Sequence, residues 1–183
     1  GALIRYTGAA GASAALTESF ARAHERAGQP REAERLLLAA AEAKPGSDRV
    51  EAVASFYERQ GRLADAVSLL TQALKKRPRD ELLLFSLGAI YSRHGEAQKS
   101  QEKMRAVLDL NPDNANALNF LGYTLADRGA DFDEAERLVL RALELKPDTG
   151  AFLDSLGWVY FRRGDLAKAV ATLERAMALS PGE

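Results

Sequence analysis

The stretch that decides the fold lies at residues 153–181 and reads LDSLGWVYFRRGDLAKAVATLERAMALSP. Residues 118–147 repeat its pattern as LNFLGYTLADRGADFDEAERLVLRALELKP, and residues 84–112 repeat it as LFSLGAIYSRHGEAQKSQEKMRAVLDLNP. Two looser copies precede these three, and every copy has a glycine that is followed by a proline after 17 or 18 residues. The glycines are Gly28, Gly61, Gly95, Gly129 and Gly164, and the prolines are Pro45, Pro78, Pro112, Pro147 and Pro181. A period of 33 to 35 residues predicts one supersecondary unit that is repeated and stacked.

Each copy predicts two helices. In the last copy, Leu153, Leu156, Gly157 and Tyr160 are spaced i, i+3, i+4 and i+7, which places them on one face of a first helix. The repeated glycine is predicted to end that helix in a left-handed conformation, and the proline is predicted to end the second helix. Small residues at positions 88, 122 and 157 and alanines at positions 66, 135 and 169 let antiparallel helices approach closely. The predicted N-caps of the following units are Asp80, Asn114 and Thr149.

The order of apolar residue, Leu-Gly, Tyr, Ala, aliphatic residue, Ala and Pro resembles the tetratricopeptide repeat (TPR). The resemblance implies an all-α fold, an α-solenoid of five TPR helical hairpins that form a right-handed superhelix. Its repeats would span about residues 14–46, 47–80, 81–114, 115–149 and 150–183, after an N-terminal segment or joint at residues 1–13. No polar capping helix follows Pro181, so we interpret the sequence as a fragment of a longer array or as one whose last face another chain covers.

Composition argues against several classes of function. The chain has 25 basic and 26 acidic residues, a net charge of -1 and no cysteine, so it lacks the net-positive face of a nucleic-acid binder and any thiolate or disulfide chemistry. No apolar run approaches the roughly 20 residues that cross a bilayer. The only histidines, His24 and His94, lie in different repeats without the spacing of metal ligands. We therefore predict no catalytic residues, no metal site and no cofactor, and a protein that is not an enzyme.

The surface left after packing predicts a function in protein binding. In TPR folds the first helices line a concave groove, and on this sequence the groove is charged in the early repeats and aromatic in the late ones. The predicted peptide-binding residues are Phe85, Arg93, Asn119, Phe120, Tyr123, Asp127, Asp154, Trp158, Phe161 and Arg162. Large aromatic side chains near arginine are the types that dominate binding energy. The alternative is that these rings are structural, packing between adjacent first helices or beneath a further repeat.

A second function is an assembly platform that forms homo-oligomers. Its predicted face is the uncapped side of the last helix, with Val170, Leu173 and Met177, together with the apolar segment at residues 2–6. The two functions differ in the side chains on which they depend, the aromatic groove for a peptide partner and the last helix for a second copy.

The last two repeats carry a narrower resemblance. Residues 112–129, PDNANALNFLGYTLADRG, and residues 151–170, AFLDSLGWVYFRRGDLAKAV, resemble bacterial outer-membrane TPR lipoproteins that act as adaptors for carboxyl-terminal-processing proteases. This resemblance implies a periplasmic protease or its substrates as the partner, and the periplasmic face of the bacterial outer membrane as the location. The acylated cysteine would then lie upstream of Gly1. A cytoplasmic location remains the alternative.

Overall fold

The computed structural model describes residues 13–179, and this part of the chain is all-α, with ten helices and no strand. The helices are α1 Ala14–Arg26, α2 Pro30–Ala43, α3 Ser47–Arg59, α4 Leu63–Lys76, α5 Glu81–Arg93, α6 Ala97–Leu110, α7 Ala115–Asp127, α8 Phe132–Leu145, α9 Gly150–Arg163 and α10 Leu166–Leu179. The predicted all-α solenoid class is confirmed. The expectations for residues 1–12 and for Pro181 fall outside the described residues.

Glycines and prolines set the ends of the helices as predicted. The five turn glycines have positive φ angles, between 66° and 94°, which a residue with a side chain rarely adopts. Helices α2, α4, α6 and α8 each end two residues before a proline. The residue before each of these prolines is extended, with φ between -135° and -142°, because the proline ring disfavours the helical conformation there.

All three predicted residues stand at the N-cap position of the next helix, and two of them cap it with a side-chain hydrogen bond. The side chain of Asn114 accepts a hydrogen bond from Ala117 N at 2.9 Å, and Asp80 Oδ1 accepts one from Leu83 N at 3.2 Å. Thr149 makes no side-chain cap. Its hydroxyl instead donates backwards to the carbonyl of Lys146 at 3.0 Å, so it satisfies the end of α8 rather than the start of α9.

The chain divides into two compact units, Gly1–Ile90 and Tyr91–Glu183. In the first unit, α1 packs against α2, α3 packs against α4, and α3 also lies against α1 and α2. One apolar cluster of this unit includes Phe56, which is 1% exposed and is the largest of its buried side chains. The buried members of the cluster are Ala21, Ala33, Leu37, Ala52, Val53 and Phe56.

The second unit contains the hairpins α7–α8 and α9–α10, and α9 packs against both helices of the preceding hairpin. Small residues allow the close packing predicted within each hairpin. A Cβ on Gly122 would lie 2.8 Å from the carbonyl oxygen of Ala135, and a Cβ on Gly157 would lie 2.6 Å from Cγ of Leu173. Because the two helices of each hairpin touch at these points, the other side chains of α7 and α9 have fixed positions relative to α8 and α10.

Candidate functional site

Three aromatic rings form a continuous row on α7 and α9. The ring centroids of Tyr123 and Trp158 are 6.4 Å apart, those of Trp158 and Phe161 are 5.5 Å apart, and both pairs are stacked at 25° to 27°. Tyr123 and Trp158 each lie six residues before a turn glycine, so equivalent positions of neighbouring first helices bring them together. Phe161 lies nearly one helical turn after Trp158 and extends the row.

These rings line a cleft of about 360 Å³, which we call the aromatic cleft. Its walls are Tyr123, Asp154, Trp158, Phe161 and Leu173. Tyr123 is 41% exposed and Phe161 is 50% exposed, whereas Trp158 between them is half-buried. The volume falls within the range of small ligand pockets. The cleft is therefore an apolar concavity that remains open to solvent.

Of the charged side chains around the aromatic cleft, Arg162 and Asp127 form an ion pair and Asp154 does not. Arg162 lies over the Trp158 ring, 5.6 Å from its centroid. Its guanidinium also donates to the carbonyl of Asp127 and lies 3.4 Å from Oδ1 of the same residue. Asp154 is exposed, and none of the hydrogen bonds and ion pairs within residues 13–179 involves its carboxylate. One negative charge in the cleft wall is therefore uncompensated.

The structure places the predicted groove residues in three groups. Tyr123, Asp154, Trp158 and Phe161 line the aromatic cleft, and Asp127 and Arg162 form an ion pair beside it. The other four lie on α5 and α7, where Arg93 is exposed and Phe85, Asn119 and Phe120 are half-buried.

Leu173 was assigned from sequence to a possible oligomer face, and the structure places it in the wall of the aromatic cleft. Its side chain lies against Gly157, where any Cβ would collide with it. The small residue at position 157 was the available signal, since it admits a side chain from α10. Val170 and Met177, the other residues of that predicted face, are 57% and 73% exposed.

The charged residues predicted for the early part of the groove are paired with one another in the first unit. Arg59 on α3 donates to both carboxylate oxygens of Glu25 on α1, at 3.0 and 2.8 Å. Arg22 contacts Glu18 at 2.6 Å, and Ser55 donates to Glu51 at 2.6 Å. The charges of Glu25, Arg59, Glu18 and Arg22 are therefore paired within the chain.

A second polar cluster joins α8 to α9. Tyr160 donates its hydroxyl hydrogen to Glu136 at 2.9 Å, and Arg163 donates to Glu136 at 2.6 Å and to Asp133 at 2.9 Å. Burial raises the pKa of Glu136, but the hydrogen bonds from Tyr160 and Arg163 outweigh it and leave that pKa below its usual value. The carboxylate is therefore held in its charged form.

The same arrangement recurs in the first unit, which favours a structural role for it. Arg62 donates to Glu34 at 2.8 Å and to Asp65 at 2.7 Å, and its guanidinium lies 4.1 Å over the Tyr57 ring. Burial and then Glu34 raise the pKa of Tyr57. In both places a glutamate on a second helix meets a tyrosine on the next first helix, so the cluster joins successive repeats.

The proton of the Tyr160 phenol is expected to be held tightly in the folded chain. Burial, and then the hydrogen bond and charge of Glu136, raise the pKa of Tyr160 from 10.0 to about 12. Because the folded state binds this proton more tightly than the unfolded chain does, the stabilisation is fully present below pH 10.0 and is lost as the pH rises towards about 12. The pH dependence of tyrosinate absorbance, compared between the chain and Tyr160→Phe, measures this pKa.

Glu136→Gln is the matched control for this titration, since it keeps a hydrogen-bond acceptor and removes the charge. It should lower the pKa of Tyr160 towards its ordinary value. An unchanged pKa in this variant would contradict the role assigned to Glu136.

Residues 13–179 contain neither a cluster of potential metal ligands nor a helix suited to crossing a bilayer. No group of three or more His, Cys, Asp or Glu side chains in that range is arranged to hold a metal ion. None of its helices has the length and the apolar character needed to span a bilayer.

Comparisons with known proteins place the repeats in a family. The model of the tetratricopeptide repeat matches residues 19–81, 54–100, 87–131 and 128–183. A TPR repeat-containing protein of Pseudomonas aeruginosa, PA4667, is 36% identical over 156 residues, which are 85% of this chain and 24% of that protein. The cellulose synthase 2 operon protein C of Komagataeibacter xylinus is 33% identical over 126 residues, 68% of this chain and 10% of that protein. The chain thus spans about a quarter or less of the length of these relatives.

Solved structures share the fold. A tetratricopeptide repeat protein from Parabacteroides merdae superposes with a TM-score of 0.73 at 19% identity, over 93% of this chain and 68% of that one. MamA from Desulfovibrio magneticus RS-1 superposes with a TM-score of 0.70 at 22% identity, over 93% and 97% of the two chains. At these identities the likeness is one of fold alone.

Proposed function

The chain belongs to the tetratricopeptide repeat family, whose members generally mediate protein–protein interactions, and from that premise we propose that it is a non-catalytic scaffold. It binds an extended or helical segment of a partner protein in the aromatic cleft. The observation that carries this proposal is the row of Tyr123, Trp158 and Phe161, of which the outer two are 41% and 50% exposed. Rings that served only as packing between α7 and α9 would be buried from solvent.

The chemistry of the row suits a binding site. Tyrosine, tryptophan and arginine are the residues most enriched among binding hot spots, where the loss of one costs about 2 kcal/mol or more. The wall of the aromatic cleft contains the tyrosine and the tryptophan, and Arg162 lies beside it, held near Trp158 by Asp127. An open cleft must order a flexible ligand, which offsets part of the contact energy. We therefore expect a dissociation constant in the micromolar range.

We propose a carboxyl-terminal-processing protease or one of its substrates as the partner, with the chain acting as their adaptor. Support comes from the resemblance of residues 112–129 and 151–170 to outer-membrane TPR lipoproteins with that role. The location that follows is the periplasmic face of the bacterial outer membrane.

The test is selection of a displayed library of random peptides on the immobilised chain. The wild type should enrich a family of related sequences, and Tyr123→Ala/Trp158→Ala should weaken their binding about tenfold or more, because a loss of about 1.4 kcal/mol already corresponds to a factor of ten. Phe20→Ala is the matched control, since it removes a ring that is 44% exposed and lies on α1.

Phe161→Ala is a second cleft variant that is expected to stay folded. The Phe161 ring is half exposed, so its removal leaves the packing of α9 intact. Far-ultraviolet circular dichroism of each variant confirms the helix content. Peptides that bind the double variant as tightly as the wild type would refute the aromatic cleft as the binding site.

Capture from a bacterial envelope extract, with the wild-type chain and the double variant as baits, then tests the adaptor role. That role requires a protease or its substrate that the wild type captures and the double variant does not.

A second candidate function is self-assembly through α10. Leu166, Val170 and Met177 are 59%, 57% and 73% exposed and lie along one side of that helix at i, i+4 and i+11. An exposed apolar stripe of this kind marks an interaction surface. Under this function Val170→Glu/Met177→Glu would dissociate an oligomer seen in sedimentation of the wild type, and a monomeric wild type would rule it out.

A further inference from the structure

The aromatic cleft combines aromatic rings with one uncompensated carboxylate. We propose that it accepts the side chain of an arginine or lysine from the bound segment, with the rings of Trp158 and Phe161 against the cation or its stem and Asp154 as the counter-charge. This inference rests on the proposed function and goes further, because it states the chemistry that the partner must supply.

The rings favour a cation because the face of an aromatic ring is electrostatically negative. A guanidinium or ammonium within about 6 Å of a ring centroid is attracted to it, and tryptophan is the strongest partner. The structure already contains one such contact, since Arg162 lies 5.6 Å from the centroid of Trp158. The indole ring therefore already lies within cation–π distance of one guanidinium group.

The balance of charge also favours a cation. Arg162 is compensated by Asp127, to whose carbonyl it donates and whose carboxylate lies 3.4 Å away. Asp154 is exposed and lines the cleft, and no cation within residues 13–179 pairs with it. An incoming basic side chain gains the attraction of Asp154, whereas an acidic one would be repelled.

The apolar part of the cleft suits the stem of such a side chain. Arginine and lysine bury their methylene groups along apolar surface while the charged end stays near polar groups. Leu173 and the rings of Tyr123 and Phe161 provide that surface, and Asp154 lies at the same cleft of about 360 Å³. An aliphatic or aromatic anchor would fill the apolar part but would leave Asp154 without a partner in a more enclosed site, which is unfavourable.

The peptides enriched by the wild-type chain in the library selection give the first readout, because they should share an arginine or lysine. The strongest of them is then synthesised with its shared basic residue intact and with glutamine in its place. Binding is followed by the emission of Trp158, the single tryptophan of the chain, which lies in the cleft wall. We expect the basic peptide to bind about tenfold more tightly than the glutamine peptide, and the difference to shrink as salt is added.

Asp154→Asn tests the counter-charge. This variant should weaken the basic peptide by about five- to tenfold and leave the glutamine peptide unchanged, since a double-mutant comparison isolates the interaction between the two groups. Asp109→Asn is the matched control, because Asp109 is also exposed and helical, on α6, and does not line the cleft. Asp109→Asn should change neither the affinity for the basic peptide nor the affinity for the glutamine peptide.

The outcomes separate this inference from the proposed function. Enriched peptides that share an apolar or acidic anchor, or an Asp154→Asn variant that binds the basic peptide as well as the wild type does, would overturn the inference while the cleft remained a peptide site. No enrichment by the wild type, or enriched peptides that bind Tyr123→Ala/Trp158→Ala equally well in the library selection, which does not depend on Trp158 emission, would overturn the proposed function itself.

Discussion

Phe56→Ala is expected to lower the free energy of unfolding by about 3–5 kcal/mol, the largest loss that we predict for a single substitution. Phe56 is 1% exposed and packs in the cluster that includes Ala21, Leu37 and Val53, with the Tyr57 ring centroid 5.8 Å from its own. Its neighbours are held by three different helices, α1, α2 and α3. They cannot collapse into the vacated space without moving those helices, so most of the cavity remains.

Urea unfolding followed by circular dichroism measures this loss. Phe20→Ala is the matched control because it removes the same side chain from a position that is 44% exposed, and it should shift the unfolding midpoint far less. Each repeat of a solenoid contacts only its neighbours, so the emission of Trp158 in the second unit should change its midpoint less than the helical signal does. Equal losses for the two phenylalanines would contradict the assignment of Phe56 to the core of the first unit.

The helix ends were predictable because they depend on local chemistry. A glycine such as Gly129 at a fixed distance before a proline predicts a left-handed turn, and its φ of 66° confirms this. Thr149 shows the limit of local reasoning. Its type and position suit an N-cap, but the carbonyl of Lys146 competes for its hydroxyl, and the sequence does not reveal which of the two partners it takes.

The sequence predicts which aromatic positions of the candidate site lie side by side, but it does not predict how the charged side chains around them pair. Tyr123 and Trp158 lie at equivalent positions of two repeats, so stacking the repeats brings them side by side. Arg162 and Asp127 are both predicted near the groove, but only the structure shows that they pair with each other, while Asp154 has no ion-pair partner among residues 13–179. Pairing across 35 residues depends on side-chain directions that no local pattern specifies.

Gly122→Ala is expected to destabilise the second unit by about 2 kcal/mol. A Cβ at this position would lie 2.6 Å from Cγ2 of Val139 and 2.8 Å from the carbonyl oxygen of Ala135. Overpacking costs about 1–3 kcal/mol, and the backbone contact places this variant at the upper end because α7 and α8 must separate. The better helix propensity of alanine offsets about 1 kcal/mol of this cost. The net loss of stability is therefore about 2 kcal/mol. Urea unfolding, followed by Trp158 emission, measures it.

Gly157→Ala is the matched comparison, and it should separate packing from binding. Its Cβ would collide with Cγ and Cδ2 of Leu173 at 2.6 and 2.7 Å, while the nearest backbone atom, the carbonyl oxygen of Ala169, is 3.6 Å away. The Leu173 side chain can rotate where a carbonyl cannot, so this variant should lose less stability than Gly122→Ala. Because Leu173 lines the aromatic cleft, its displacement should nevertheless weaken peptide binding. A Gly157→Ala variant that binds normally would mean that Leu173 does not shape the cleft.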